Sequence, residues 1–346
     1  MLILGVESSC DETAFAVVEN GTRALSNAIA SQVELHARFG GVVPEIASRA
    51  HLECLVPLLH AALDEAGTTL DAIDAIAVTQ GPGLAGCLLV GLEFAKALAF
   101  RHGKPLIPVH HIAGHVYSVH IGRERDAWGE GTGSPPPDPL APYLALVVSG
   151  GHSSLIHVRG AGDYVTLGET LDDAVGEAYD KVAKLLGLGY PGGPLLDRLA
   201  VNGDPARFDL PRPVLNESHF HFSFSGLKTA VARLVEVRGR ESFGEQDLAD
   251  LAASFQAACI DVLLAKSARA LKATGLKRFA IAGGVACNSG LRAAARQRLA
   301  GTTLALPEPE FCTDNAAMIA GAGYLAARTR AGRDYGINAE PSLSLR

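Results

Sequence analysis

The chain contains six cysteines, Cys10, Cys54, Cys87, Cys259, Cys287 and Cys312, and no two of them form a C-x-x-C pair. That spacing argues against a zinc ribbon, a thioredoxin motif or a secreted disulfide framework, and a reducing cytoplasm is the expected compartment. No G-x-x-x-x-G-K-[ST] occurs, so the chain is not a P-loop protein, and no G-x-G-x-x-G follows the first strand, against a dinucleotide Rossmann unit. Uninterrupted apolar runs are short. The longest apolar stretches, such as Cys87 to Phe100, are broken by charges, there Glu93 and Lys96, so no membrane segment is expected. The opening Met1 to Glu7 has neither a basic end nor a cleavage site and reads as a strand rather than a signal peptide.

No acidic residue lies between Asp261 and Glu308, where Lys266, Arg269, Lys272, Lys277, Arg278, Arg292, Arg296 and Arg298 all lie. The net charge of −7 therefore divides into +8 for this interval and −15 for the rest. Glu245, Asp247 and Asp250 open a helical run that Lys266, Arg269 and Lys272 close, which is ordinary helix-dipole placement. Arg292, Arg296 and Arg298 are left over, on a second helical stretch, as groups able to meet the phosphates of a polyanion.

With 346 residues, 48% of them hydrophobic, the chain can build two domains, each with its own core. Two segments begin alike. Leu2 to Asp11 is an apolar strand running into small and acidic residues, and Tyr143 to His152 is another strand ending in a glycine-rich turn. Each is followed by a short β-like run, Thr13 to Val18 and Ser153 to Val158. Helical periods cover Pro44 to Ala66, Leu84 to Phe100, Asp172 to Leu186 and Gln246 to Ala273, which gives an α/β class. The expected layout is an N-terminal lobe over residues 1–120, a linker or surface loop over 121–142, a C-terminal lobe over 143–313 and an irregular tail over 330–346. A last helix over 314–328, capped by Thr313, is expected to pack back onto the first lobe.

Three glycine turns, Ser149-Gly150-Gly151, Gly192-Gly193 and Gly283-Gly284, are each expected to leave a strand and could aim backbone amides at phosphate oxygens. Carboxylates lie near them. Asp11 and Glu12 follow the first strand; Asp172, Asp173, Glu177 and Asp180 lie along one helical run. Asp180 reads as a ligand contact or a surface charge. Asp197 reads as an acceptor for sugar hydroxyls or a group on a solvated helix face, and Asn288 as a helix cap or a nucleotide contact. His111 and His115 stand four residues apart, which on a helix puts both imidazoles on one face, within reach of a shared metal ion. Zinc peptidases with that spacing carry a Glu directly after the first His as general base; Ile112 stands there instead, so the pair suits holding a ligand rather than cleaving peptides. Asp314 is either a first-turn acid or a hard oxygen ligand completing a two-His, one-carboxylate set.

Eight motifs then carry a resemblance. Glu7-Ser8-Ser9-Cys10-Asp11-Glu12-Thr13, Gly40-Gly41-Val42-Val43-Pro44-Glu45, Gln80-Gly81-Pro82-Gly83-Leu84 and His110-His111-Ile112-Ala113-Gly114-His115 fall in the first half. Val148-Ser149-Gly150-Gly151-His152, Gly187-Leu188-Gly189-Tyr190-Pro191-Gly192-Gly193-Pro194, Phe222-Ser223-Phe224-Ser225-Gly226-Leu227-Lys228 and Ala282-Gly283-Gly284-Val285-Ala286-Cys287-Asn288 fall in the second. Together, from residue 3 to about residue 328, they resemble the TsaD family, tRNA adenosine threonylcarbamoyltransferases formerly labelled O-sialoglycoprotein endopeptidases. Only the Pro-rich insert near Ser134 to Pro139 and the tail after Arg330 fall outside.

The resemblance implies the two-lobed fold of the actin, hexokinase and heat-shock ATPase superfamily, with duplicated ribonuclease-H-like lobes. It implies that His111, His115 and Asp314 ligate one divalent metal per subunit, with Fe2+ favoured and Zn2+ compatible with the same donors. Val147, Val148, Ser149, Gly150, Gly151, Asp180, Gly193 and Asn288 would bind threonylcarbamoyl-AMP, at a site ATP or ADP can also occupy. Asp197 matches a position that contacts nucleotide mainly in archaeal and eukaryotic relatives. The implied acceptor is the exocyclic amine of an adenosine in the tRNA anticodon loop, and the implied partners are a TsaB-like paralogue and a TsaE-like ATPase, with no membrane. Asp11 or Glu12 is the expected proton acceptor. The rival readings are a metalloprotease, a small-molecule kinase of the same superfamily and an ATP-binding scaffold.

Overall fold

The computed structural model describes residues 1–123, 142–329 and 334–345. The linker reading over 121–142 and the Pro-rich insert therefore fall almost wholly outside the described residues, as do 330–333 and 346 of the tail. The described chain divides into two compact units. One holds residues 1–123, 159–164, 307–329 and 334–345; the other holds 142–158 and 165–306.

The first unit is built on β1 (Leu2–Glu7), β2 (Glu12–Glu19), β3 (Arg23–Ala24) and β4 (Ala28–Ser31), followed by α1 (Val33–Ala37) and α2 (Pro44–Glu65). After these come β5 (Ala75–Gly81), α3 (Ala85–His102), β6 (Leu106–His110) and α4 (His111–Tyr117). Its sheet runs β3-β2-β1-β5-β6, with β4 also paired to β2. β1 is central, antiparallel to β2 and parallel to β5. A strand covered on both faces reads as a near-continuous apolar run, and here alternate residues serve two cores. Ile3, Ala14, Ala16 and Ala77 face one cluster, and Leu4, Val6, Phe15, Val17 and Val78 face another with Leu55, Leu59 and Leu92.

The second unit is built on β7 (Tyr143–Val148), β8 (Ser153–Gly160) and β9 (Asp163–Glu169), less the strand ends within 159–164, with α5 (Val175–Leu185), α6 (Gly192–Ala200), α7 (Ser225–Arg238) and α8 (Glu245–Thr274). It continues with β10 (Arg278–Ala282), α9 (Ser289–Arg298) and β11 (Thr303–Ala305). Its sheet runs β11-β10-β7-β8-β9. β7 pairs antiparallel with β8 and parallel with β10, repeating the relation of β1 to β2 and β5. This repeated strand pattern gives an α/β fold of two similarly built units. α8 is long and apolar enough to cross a membrane by length and composition, but 78% of its apolar window is buried as core.

The chain then returns to the first unit with α10 (Pro309–Cys312) and α11 (Ala316–Thr329). α11 packs on β1, β2, β5 and α4. Its close seating depends on residues without side chains: a Cβ on Gly5 would overlap the Ala316 carbonyl oxygen, and one on Gly114 would press on Ile319 and Met318. The cap of α11 is Asn315, whose Oδ1 accepts from the Met318 N–H at 3.0 Å, and not Thr313 as the sequence suggested. Residues 334–345 form no helix or strand. They nonetheless add Tyr335, Ile337 and Ala339 to one core cluster, and the Glu340 N–H donates to Gln80 O at 2.9 Å.

Candidate functional site

Three histidines stand at α4, and local hydrogen bonding sorts them. His110 is the helix cap: its Nδ1 accepts from the Ile112 N–H at 3.1 Å, and its Nε2 donates to Leu343 O at 3.1 Å. Burial, only partly offset by that carbonyl, pushes its pKa down to about 4, consistent with a neutral ring. His111 and His115, one turn apart, are buried, with ring centroids 4.7 Å apart and planes at 83°. Asp314 arrives from the far end of the chain, just before α11. Its Oδ1 lies 3.1 Å from His115 Nε2 and 3.6 Å from His111 Nε2. One ligand atom from each residue falls within 4.8 Å of the other two.

The surroundings suit a cation. Glu7, fully buried at the end of β1, places Oε2 at 3.1 Å from His111 Nδ1 and accepts the Thr79 hydroxyl at 2.6 Å. Its Oε1 accepts from the Ser9 N–H at 2.5 Å, and Ser9 Oγ lies 3.2 Å from His111 Nδ1. Burial acts to lower the His111 pKa, but the negative charges of Asp314 and Glu7 and the bond to Glu7 outweigh it and hold the ring up to about 9. The same pairing holds the Glu7 carboxyl below its ordinary value against burial, which acts to raise it. His115 Nδ1 is buried with no hydrogen-bond partner among the described residues. Two imidazole Nε2 atoms and a carboxylate oxygen facing one point, in a negative potential, fit a divalent transition metal of the iron or zinc type. Glu7 escaped the sequence reading. The available signal was a carboxylate ending an otherwise wholly apolar central strand.

Asp11 lies in the β1–β2 turn of the same unit, and Glu12 is the first residue of β2. This turn is held from outside: His51 Nε2 donates to Cys10 O at 3.0 Å, and Thr13 Oγ1 lies 2.7 Å from His51 Nδ1. The Asp11 carbonyl accepts from the Gln32 N–H at 3.0 Å. Burial, followed by the charges of Asp314 and Asp11 and a bond with Asp11, pushes the Glu12 carboxyl up to about 9, despite a 3.1 Å hydrogen bond from Ser31 Oγ. A neutral carboxyl beside an acidic neighbour is the expected outcome of two acids sharing a partly buried turn.

The second unit holds the other site residues expected from sequence. Val147 and Val148 are fully buried in β7, so only their backbone is available to a ligand. Ser149 turns the chain, its Oγ accepting from the His152 N–H at 3.1 Å, and the exposed Gly150 and Gly151 have open space where a Cβ would stand. Gly283, at φ +88°, ends β10 beside this turn; a Cβ there would overlap Val148 O, so the two glycine turns lie side by side. Gly193 also faces open space, but Gly192 and Gly193 begin α6 after a loop and do not leave a strand, a correction to the sequence reading. Asp180 Oδ1 accepts from the Gly192 N–H at 2.7 Å and so ties down that helix start.

Asn288 is both cap and network member. Its Oδ1 accepts from the Leu291 N–H at 2.8 Å, and its Nδ2 donates to Gln256 Oε1 at 2.6 Å, a partner that no sequence pattern signals. Both oxygens of Asp197 are taken, by the Ser289 N–H and Oγ at 2.9 Å each, which joins α6 to α9. Asp172 lies ahead of α5, not on it. It accepts from Ser223 Oγ, Phe224 N, Ser225 N and Ser225 Oγ at 2.6–3.2 Å, which caps α7 from across the unit.

At least half of the eight basic side chains of the interval are tied to partners within the unit. Lys266 is fully buried and its Nζ donates to Glu217 O at 3.3 Å and His219 O at 2.7 Å. Arg269 donates to Glu217 O, Arg292 to Ala286 O, and Arg298 pairs with Asp261 at 2.7 Å. Of the three arginines left over for a polyanion, Arg292 is tied to a backbone carbonyl and Arg298 to Asp261.

Comparison with known proteins places this geometry. Residues 23–321 match the family described as TsaD, tRNA N6-adenosine threonylcarbamoyltransferase. A relative of that name from Geobacter sp. (strain M21) is 54% identical over 338 residues, covering 96% of this chain and 94% of the relative. Another of the same name, from Bacillus subtilis (strain 168), is 49% identical over 350 residues, covering 100% and 96%. Among solved structures, full-length HypF in its phosphate- and nucleotide-bound form aligns with TM-score 0.58 at 12% identity, over 96% of this chain and 47% of that one. Component A of (R)-2-hydroxyglutaryl-CoA dehydratase from Acidaminococcus fermentans aligns with TM-score 0.52 at 14% identity, over 95% and 99%. These two share the fold alone. Matched along nearly its whole length by relatives about half identical to it, the chain belongs to the TsaD family.

Proposed function

We propose that this chain transfers a threonylcarbamoyl group from threonylcarbamoyl-AMP to the exocyclic amine of the adenosine 3′ of the anticodon, in tRNAs reading codons that start with A. The observation that carries the reading is the meeting of His111, His115 and Asp314 at one point, in a chain of this family. The metal, with Fe2+ favoured and Zn2+ compatible, would be held by those three residues and would supply Lewis-acid polarisation of the acyl carbonyl. Ile112, buried directly after His111, offers no general base for peptide cleavage, which disfavours a protease.

The remaining work falls to the chain's own groups. In the second unit, the amides of Ser149 to Gly151 and of Gly193, with Asp180 and Asn288, hold the adenylate; Asp197, occupied by Ser289, supports the α9 start. The adenosine amine is a poor nucleophile because its lone pair is delocalised into the ring, so orientation matters more than basicity. As the amine adds to the carbonyl carbon, the C–O bond to AMP breaks and the amine loses a proton. Asp11 accepts that proton, while Glu12, with its carboxyl pushed up to about 9, stays protonated beside it. An anticodon-loop base is unpaired and can be splayed out for recognition. A TsaB-like paralogue and a TsaE-like ATPase complete the system in a cytoplasmic setting.

The test mixes the purified chain and these partners with unmodified tRNA and threonylcarbamoyl-AMP, and reads digested nucleosides by mass spectrometry. Threonylcarbamoyladenosine is expected, and is expected to disappear with His111→Ala. No product, with adenylate binding intact, would overturn the reading in favour of a scaffold.

A further inference from the structure

Glu7 is an expensive residue to keep where it is. Its side chain is fully buried at the end of the first unit's central strand. Among the described residues no lysine or arginine neutralises it; its one ion-pairing partner is His111. An ionised carboxylate out of water needs a cation or several donors, and this one has three donors drawn from three elements: Ser9 N–H from the β1–β2 turn, Thr79 Oγ from β5 and His111 Nδ1 from α4. Every one of these donors points at a carboxylate oxygen, so both oxygens act only as acceptors.

From this arrangement we infer that Glu7 is the positioning residue of the candidate metal centre, fixing His111 as the Nδ1–H tautomer with Nε2 turned toward Asp314; this rests on the metal reading proposed above. The direction of the bond decides the tautomer. A carboxylate can only accept, so His111 Nδ1 must carry the hydrogen of that bond, and in the neutral ring that ligates a metal the lone pair is then on Nε2. Thr79 and the Ser9 amide hold the carboxylate from its other sides, and so set the plane of the ring. His115 receives no such guide, since its Nδ1 has no partner among the described residues. The two imidazoles are therefore not equivalent: His111 is held at Nδ1 from behind, whereas His115 is held through its Nε2 contact with Asp314.

Glu7→Gln reverses one acceptor into a donor at nearly the same volume. Its amide NH2 must face either the Ser9 N–H or the Thr79 and His111 pair, and the second choice forces His111 into the Nε2–H tautomer, which cannot ligate through Nε2. Thr79→Val removes a hydrogen bond to the same carboxylate but leaves the His111 bond, so it reports the cost of a merely structural loss.

The experiment titrates the metal-free chain and its variants with Co2+ and follows the visible d–d bands, with circular dichroism confirming the fold. Outer-sphere partners of this kind govern affinity by about 10–100-fold, so Glu7→Gln is expected to weaken Co2+ by that factor and alter the band shape, while Thr79→Val stays within about threefold. Unchanged affinity and spectrum in Glu7→Gln, with His115→Ala strongly weakened, would overturn the positioning role and leave the metal reading standing. Unchanged affinity in His115→Ala would instead defeat the metal reading itself. Should Glu7→Gln fail to fold, nitrogen-15 histidine spectra of the Zn2+-loaded wild-type chain decide the matter: a hydrogen on His111 Nδ1 is expected, and its absence refutes the inference.

Discussion

Gly5→Ala tests the link between fold and site most directly. Gly5 sits in the middle of β1, and α11 crosses it so closely that an added Cβ would overlap the Ala316 carbonyl oxygen and come within 3.0 Å of Ala316 C and Ala320 N. Carbon contacts are comfortable near 3.5–4.0 Å, so the helix must retreat by about 1 Å. Overpacking of this kind costs about 1–3 kcal/mol, and a unit of this size loses about 2–4 °C of melting temperature per kcal/mol. The retreat also carries Asp314, two residues before the helix, away from His115 Nε2, now 3.1 Å from its Oδ1. Losing that oxygen is expected to weaken Co2+ binding at least about tenfold. Thermal melts and Co2+ titration of wild type, Gly5→Ala and Gly301→Ala provide the assay; Gly301 has open space around its Cβ and serves as the control. If Gly5→Ala melts and binds Co2+ like Gly301→Ala, the claim that close seating of α11 builds the site is wrong.

Three further outcomes follow from named contacts. His110→Ala removes the α4 cap and is expected to cost about 1 kcal/mol in denaturant melts, while His110→Asn, whose Oδ1 can still accept from Ile112, recovers most of it. Lys266→Ala leaves a cavity and strands the Glu217 and His219 carbonyls, a loss of about 2–4 kcal/mol in chemical denaturation; an unchanged midpoint would mean the buried amine does nothing there. The Asp172 carboxyl is largely exposed, and what burial it has, which acts to raise its pKa, is outweighed by bonds from Ser223, Phe224 and Ser225, so its pKa is held below the ordinary aspartate value in the fold. A depressed folded value means the stabilisation is present above the unfolded pKa and fades as pH falls through the folded one. Amide exchange at Phe224 and Ser225 is thus expected to stay slow at pH 5 in wild type, and to be fast at every pH in Asp172→Ala.

Much of the architecture is legible in the sequence because it rests on local periodicity. The apolar runs of β1, β7 and β10, the paired strand-turn-strand starts and the helical spans of α2, α3 and α8 follow from side-chain alternation and the 3.6-residue turn. The four-residue spacing of His111 and His115 likewise puts both rings on one helix face by local geometry alone. Misreadings arise where a capping or turn residue has a distant partner. Asp172 looks like a first-turn acid of α5 but serves α7. Gly192 and Gly193 look like a strand exit but open a helix, and Thr313 looks like a cap that Asn315 provides.

What the sequence determined by itself is therefore the repeating α/β layout, the family and a histidine pair on one helix face, since each is written in neighbours a few residues apart. Only the tertiary structure decided that Asp314, 199 positions from His115, completes the pair, that Glu7 stands behind His111, and that Lys266, read from sequence as a helix-end charge, is buried on the Glu217 and His219 carbonyls. Those facts depend on which faces meet when sheets and helices close on their cores, and no local pattern encodes that meeting.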